Sequence, residues 1–240
     1  MIDMSFLAEA FPAVLASVPV TLALVFVSIP IGWVLGILIA LVKNARVPVL
    51  SQICTVFVSF MRSVPMVIIL FVSYYTTPLV IQSYLASIGL NPDVSAIPAA
   101  AYAIAAFVLE QAAYSSEVFR SAILAVDAGQ LEAAQSVGMT KPVAYVRIVL
   151  PQAITSALPN LNGLFVGLVQ GTSLAYFVGV YEVMATSTLL ANASYAYIEA
   201  YLMATVIYEV LSFIFNRAFR LVERRASGYL RMDAPSAQKA

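Results

Sequence analysis

The sequence has 240 residues, 62% hydrophobic and 10% charged, with 12 Lys and Arg against 12 Asp and Glu and no His. A soluble domain averages about 45–50% apolar and about 25% charged residues, so this chain could not cover a water-facing surface, and its mean hydropathy of +0.94 assigns it to lipid. Sparse, balanced charge excludes a nucleic-acid footprint, the lone Cys54 excludes an internal disulfide, and the missing His and phosphate-loop motif exclude the usual metal and haem ligand sets, a resident cofactor and an ATPase within this chain.

The chain begins with a segment carrying Asp3 and Glu9 but no Lys or Arg, which lacks the basic start of a cleaved signal peptide and is expected to be retained. A bilayer-crossing helix needs about 20 mostly apolar residues, and five stretches meet that need. The first spans roughly 14–42, with Pro19 and Pro30 as kink points. The second, 64–85, follows an apolar segment at 49–61 that reads as a short interfacial helix. The third covers 99–119. The stretch from Ile148 to Val180 is too long for one crossing and carries Pro151 and Pro159, which places the fourth span at 160–180. The fifth runs over 195–219. The predicted fold class is all-α, a single polytopic membrane domain of five transmembrane helices.

Cytoplasmic loops are enriched in Lys and Arg, and here the basic residues segregate. Lys43, Arg46 and Arg62 lie between spans one and two; Arg120, Lys141 and Arg147 between three and four; Arg217, Arg220, Arg224, Arg225, Arg231 and Lys239 at or beyond the end of five. The opposite side keeps Asp3, Glu9, Asp93 and Glu182 and no basic residue. Only an odd number of spans, with the N-terminus outside and the C-terminus cytoplasmic, gives that partition.

One cytoplasmic segment, about 121–147, is longer and less apolar than its neighbours, as loops with their own function are. Ala-rich residues around Glu132 to Val137 favour helix, Gly138 suits a helix end, and Thr140 with Pro142 suits a new start. Leu131, Ala134 and Val137 form a small apolar stripe that fits either docking into a partner's groove or resting on lipid headgroups.

At these residues the chain resembles a known family. Glu132-Ala133-Ala134, then Gly138, then Ile148-Val149-Leu150-Pro151 resembles the EAA loop of ATP-binding-cassette (ABC) importer permeases. Arg62-Ser63-Val64-Pro65, Ala113-Tyr114-Ser115-Ser116-Glu117-Val118-Phe119-Arg120, Gly129-Gln130, Pro151-Gln152-Ala153 and Thr172-Ser173-Leu174 resemble its polar amino acid subfamily. The resemblance covers roughly residues 20–215. It implies a type I permease fold in the bacterial cytoplasmic membrane and a dimer with a second permease subunit. It also implies docking of two cytoplasmic ATPase subunits, through Gly129, Gln130, Glu132, Ala133, Ala134, Gly138 and Pro142, and an extracytoplasmic amino-acid-binding protein that delivers substrate.

Ionisable groups at mid-membrane cost about 2.5–3.5 kcal/mol each unless paired or hydrated, and are functional candidates for that reason. Glu110 in span three and Glu209 in span five have no Lys or Arg within any span to neutralise them. Glu110 with Gln111 is the first choice for meeting a substrate ammonium; a protonated Glu110 hydrogen-bonded to a neighbouring helix is the structural alternative. In span four the resembled family carries Lys-Asp-Thr-Ser-Leu where this chain has Gln170-Gly171-Thr172-Ser173-Leu174. Loss of both charges together avoids the cost of about 3–5 kcal/mol that one unpaired buried charge would bring. Gln170, Thr172 and Ser173 then remain as hydrogen-bonding candidates, although Thr and Ser also bond back to their own helix. Gly163, Gly167 and Gly171, like Gly32 and Gly36, recur every fourth residue and are expected to let helices pack closely, within the subunit or across a dimer.

The leading expectation is the membrane subunit of an ATP-driven importer for polar amino acids, with cystine among the permitted substrates. The rival is a proton-coupled secondary carrier or channel in which Glu110 and Glu209 relay protons.

Overall fold

The computed structural model describes residues 3–90 and 93–232, so Lys239 of the predicted basic tail lies outside the described residues. These form helices only. In chain order they are α1 (Met4–Ala16), α2 (Val18–Asn44), α3 (Leu50–Ser63), α4 (Met66–Phe71), a π-helical turn (Val72–Thr76) and α5 (Thr77–Ser87). A short 3-10 turn (Val94–Ala96) precedes α6 (Ala99–Leu124), α7 (Ala128–Ser136) and α8 (Lys141–Ala144). A second π-helical turn (Tyr145–Val149) leads into α9 (Leu150–Gly171), which continues as a 3-10 segment (Thr172–Val178) before α10 (Val183–Ser194) and α11 (Tyr197–Met232).

Among the described residues, four helical stretches are long and apolar enough to cross a membrane: Met4–Asn44, Met66–Ser87, Lys141–Val178 and Tyr197–Ala226. The predicted third span lies on α6, which is 26 residues long but is not among them. Its sequence explains this, because Glu110, Gln111, Ser115, Ser116 and Glu117 dilute its hydropathy. Most of these polar residues are turned away from lipid: Gln111, Ser115 and Ser116 are buried, and the two serines donate to the carbonyls of Gln111 (2.6 Å) and Ala113 (2.7 Å). An enclosed helix can carry polar groups that a lipid-facing one cannot.

The fourth helical run starts at Lys141, where Thr140 and Pro142 predict a helix start, and continues through the proposed span at 160–180; neither Pro151 nor Pro159 ends it. A proline clashes with the carbonyl four residues earlier. The widened π-helical turn at Tyr145–Val149 contains that carbonyl, on Arg147, and absorbs the clash of Pro151. The turn at Val72–Thr76 serves Pro78 in the same way, since it contains Tyr74.

The tightest helix pair is α2 on α6. A Cβ placed on Gly32 would stand 2.6 Å from Cβ of Gln111, and one on Gly36 would stand 2.1 Å from Oγ of Ser115. These two glycines are therefore required by packing, as their spacing predicts. The core between α2, α4, α6, α9 and α10 is filled by Leu24, Val25, Leu70, Phe107, Val169 and Val183. A second cluster, with Ala40, Phe119, Ile123, Ala153 and Leu161, closes the end of the bundle that bears Lys43 and Arg120. Outward-facing Phe26, Val34 and Leu38 on α2 and Phe213 and Ile214 on α11 form the apolar surface a bilayer requires.

The chain start is tied down. Asp3 caps α1, accepting from the amides of Ser5 (2.9 Å) and Phe6 (3.1 Å), and its own amide donates to Glu199 of α11 at 2.9 Å. Hydrogen bonds from the Ser5 hydroxyl and the Phe6 amide hold the Asp3 carboxyl below the usual range.

Candidate functional site

The predicted coupling segment is a helix, a turn and a helix. Asp127 caps α7 by accepting from the Gly129 amide at 2.7 Å. At the other end Gly138 adopts φ +86°, a left-handed conformation that suits glycine. Its amide donates to the Gln135 carbonyl (3.0 Å) and the Met139 amide to that of Ala134 (3.1 Å), the paired bonds of a Schellman cap. Thr140 is the N-cap of α8, with Pro142 in its first turn.

Gly129, Gln130, Glu132, Ala133, Gly138 and Pro142 are all exposed on this unit. Ala134 is not: at 2% exposure it is packed inside, while Val137 is 74% exposed. The expected apolar stripe of Leu131, Ala134 and Val137 is therefore split. Ala134 points inward, whereas Ala133, Val137 and Val143 are exposed among the polar residues of the outward surface.

The polar residues proposed for the membrane fall into two groups. Glu110, Gln111, Tyr114, Gly163, Gly167 and Gly171 line a cavity of about 270 Å³. Nothing within this chain stands within 4 Å of a Cβ on any of the three members of the second glycine series. Within the subunit they pack no helix and form an open wall. Gln111 is 4% exposed and its Oε1 accepts from the Trp33 indole at 3.3 Å, so its side chain is held by α2. Glu110, its neighbour, is half-buried and makes no hydrogen bond or ion pair among the described residues. Tyr114 carries the Arg62 guanidinium 5.5 Å from its ring centroid, which joins two of the segments that resemble the polar amino acid subfamily.

Gln170, Ser173 and Glu209 line a different cavity, of about 610 Å³, together with Thr188, Tyr201 and Tyr208. Gln170 donates to the Ser212 hydroxyl at 3.4 Å, and Ser173 donates to the Gln170 carbonyl at 2.7 Å. Thr172 lines neither cavity; it is fully buried and donates to the Val169 carbonyl at 2.7 Å. Glu110 and Glu209 thus line different cavities, with Leu174 on the wall of both.

Two charged clusters were not predicted. Glu182, grouped by sequence with the outer-face acids, is fully buried. It accepts from the Tyr208 hydroxyl, from Thr21 at 3.5 Å and from the Ala185 amide at 2.9 Å, which ties α2, α10 and α11 together. Its one sequence signal is an acid standing directly before the apolar run of α10. At the opposite end of the bundle Glu117 accepts from both Lys43 and Arg120, the latter at 2.9 Å.

Comparison with known proteins gives these features a context. Residues 28–228 match the model of a family described as binding-protein-dependent transport system inner membrane component. The chain is 39% identical over 226 residues to the probable amino-acid permease protein YxeN of Bacillus subtilis, covering 94% of this chain and 96% of that one. It is 33% identical to the L-cystine transport system permease protein TcyL of the same organism, over 93% and 91% of the two chains. Its fold is similar to that in a crystal structure of an amino acid ABC transporter with histidines, with a TM-score of 0.79, 28% identity and coverage of 94% and 99%.

Proposed function

The chain belongs to the family of binding-protein-dependent transport system inner membrane components, and from that premise we propose how it carries substrate and couples to its partners. It is the permease subunit of an amino-acid ABC importer, a multi-pass bacterial membrane protein and not an enzyme; ATP hydrolysis belongs to a separate subunit.

The proposed topology has five spans, with the N-terminus outside and the C-terminus cytoplasmic. Supporting it are the one-sided distribution of Lys and Arg and the position of α6, enclosed by α2 and α9. Two cytoplasmic ATPase subunits then engage the exposed residues Gly129, Gln130, Glu132, Ala133, Gly138 and Pro142 in a permease dimer, one per permease. Ala134 supports this surface from inside. A binding protein delivers substrate at the outer face. ATP binding in the partners alternately opens the pathway to the two sides.

The substrate we propose is a polar amino acid, and cystine, named for the relative TcyL, is the first to test. The observation that carries this reading is Glu110, an acid without a partner among the described residues, on a cavity whose opposite wall is glycine. A carboxylate there meets an ammonium by a charge-assisted hydrogen bond. Glycines leave room for the substrate body and bring backbone close to it. Gln170, Ser173 and Glu209 line a second, larger space and are proposed as later contacts on the path; Thr172 supports their helix.

The test is Glu110→Gln in proteoliposomes holding the permease, its ATPase and its binding protein. Substrate-stimulated ATP hydrolysis should need at least about tenfold more substrate, the equivalent of about 1.4 kcal/mol, with basal hydrolysis unchanged. An unchanged substrate response would return Glu110 to a structural role. Glu132→Ala combined with Gly138→Ala should abolish coupled uptake while membrane insertion remains intact. Uptake at the unsubstituted rate would remove the coupling assignment.

A further inference from the structure

Where α2 ends, a cavity of about 410 Å³ is lined by Lys43, Asn44, Arg46, Ser51, Thr55 and Arg120. Three cations converge on it from α2, the turn after it and α6. Lys43 and Arg120 share the carboxylate of Glu117, the one acid ion-paired there among the described residues. Arg46 makes no ion pair or hydrogen bond through its side chain among the described residues, and it is exposed. The cavity therefore keeps uncompensated positive charge.

Two of its other donors are also free among the described residues: neither the Ser51 hydroxyl nor the Asn44 amide is engaged there, whereas Thr55 donates to the Ser51 carbonyl at 2.8 Å. A charged fork with a hydroxyl and an amide beside it matches an anion with several acceptor oxygens, and a phosphate has that chemistry. The backbone holds Arg46 at φ 51° and Val49 at φ 65°, so the turn that presents the guanidinium is an unusual one for these residue types.

The surroundings favour a lipid as the source of that phosphate. On α3, next to Ser51 and Thr55, the side chains of Leu50, Ile53, Val56 and Phe60 are exposed and apolar. A headgroup seated in the cavity would lay its acyl chains along this face, at the level where α2 leaves the bilayer. Basic pockets between helices at a membrane surface bind anionic headgroups in this way. We infer that the cavity lined by Lys43, Arg46, Ser51 and Arg120 is a binding site for the phosphate headgroup of an anionic phospholipid, with the exposed face of α3 as its acyl-chain platform. The inference does not depend on the substrate assignment.

Native mass spectrometry of the full chain in mixed micelles tests it, with phosphatidylglycerol, phosphatidylcholine and inorganic phosphate as separate probes. Phosphatidylglycerol should be retained over phosphatidylcholine, and Arg46→Gln should weaken its retention about fivefold, the loss of one cation near a headgroup. Arg46→Lys should restore most of it. Arg224→Gln, on α11, should change retention by less than about twofold. Should Arg46→Gln fail to fold, Ser51→Asp places a carboxylate in the same cavity and should give an equal or larger loss. Retention unchanged in the folded variants, or a loss no greater than that of Arg224→Gln, would overturn the site. Arg46-dependent binding of inorganic phosphate with indifference to phosphatidylglycerol would overturn the lipid as its occupant.

Discussion

Two runs of glycine at the same spacing meet opposite surroundings in this protein. Gly32 and Gly36 on α2 touch α6 so closely that a methyl group would collide with Gln111 or Ser115, whereas Gly163, Gly167 and Gly171 on α9 have nothing within 4 Å of a Cβ. The residues they adjoin are neighbours in sequence. Gln111 faces the first run and the indole of Trp33, while Glu110 lies in the cavity walled by the second. A glycine stripe specifies a helix face without side chains. Whether another helix or an empty space lies against that face depends on the rest of the fold.

The contrast can be broken by filling each face in turn. The largest effect is expected from Gly36→Leu, which has no space to enter: overpacking costs typically 1–3 kcal/mol, and at this backbone contact about 3 kcal/mol or more, measurable as a lowered melting temperature or lost insertion. If Gly36→Leu melts normally, the close approach of α2 and α6 is wrong. Gly167→Leu should leave melting unchanged or slightly raised, since leucine is the better helix former. Its cost should appear in uptake, about tenfold lower because the cavity is occupied. Equal loss of stability in both variants would erase the difference between the two faces. Trp33→Phe is the finer probe. Removing the indole donor to Gln111 should cost about 1 kcal/mol and, by releasing Gln111 toward Glu110, alter substrate affinity without affecting basal ATP hydrolysis.

The coupling segment was the most legible part of the chain. Gly138 at a helix end, Thr140 as an N-cap and Pro142 in the first turn all stand where local rules place them, because caps depend on backbone geometry within a few residues. The continuity of the fourth helical run past its prolines was not legible. Pro151 normally marks a boundary, and only the π-helical turn ahead of it lets the helix continue. α6 is read from the sequence as the third span although its polar residues dilute its hydropathy, and it is enclosed by the others. The split of the candidate residues between two cavities was equally invisible, as was the burial of Glu182 under Tyr208 and Thr21.

By itself the sequence determined that the protein lives in a membrane, where α7 ends and α8 begins, and that Glu110 and Glu209 have no Lys or Arg within the proposed spans. Each of these is a property of composition or of residues a few positions apart. Tertiary structure alone decided which polar groups share a space: Arg62 with Tyr114, Lys43 with Glu117, Glu110 with the glycines of α9. Those pairings join residues on different helices, and a helix's own periodicity says which residues share a face but not what that face will meet.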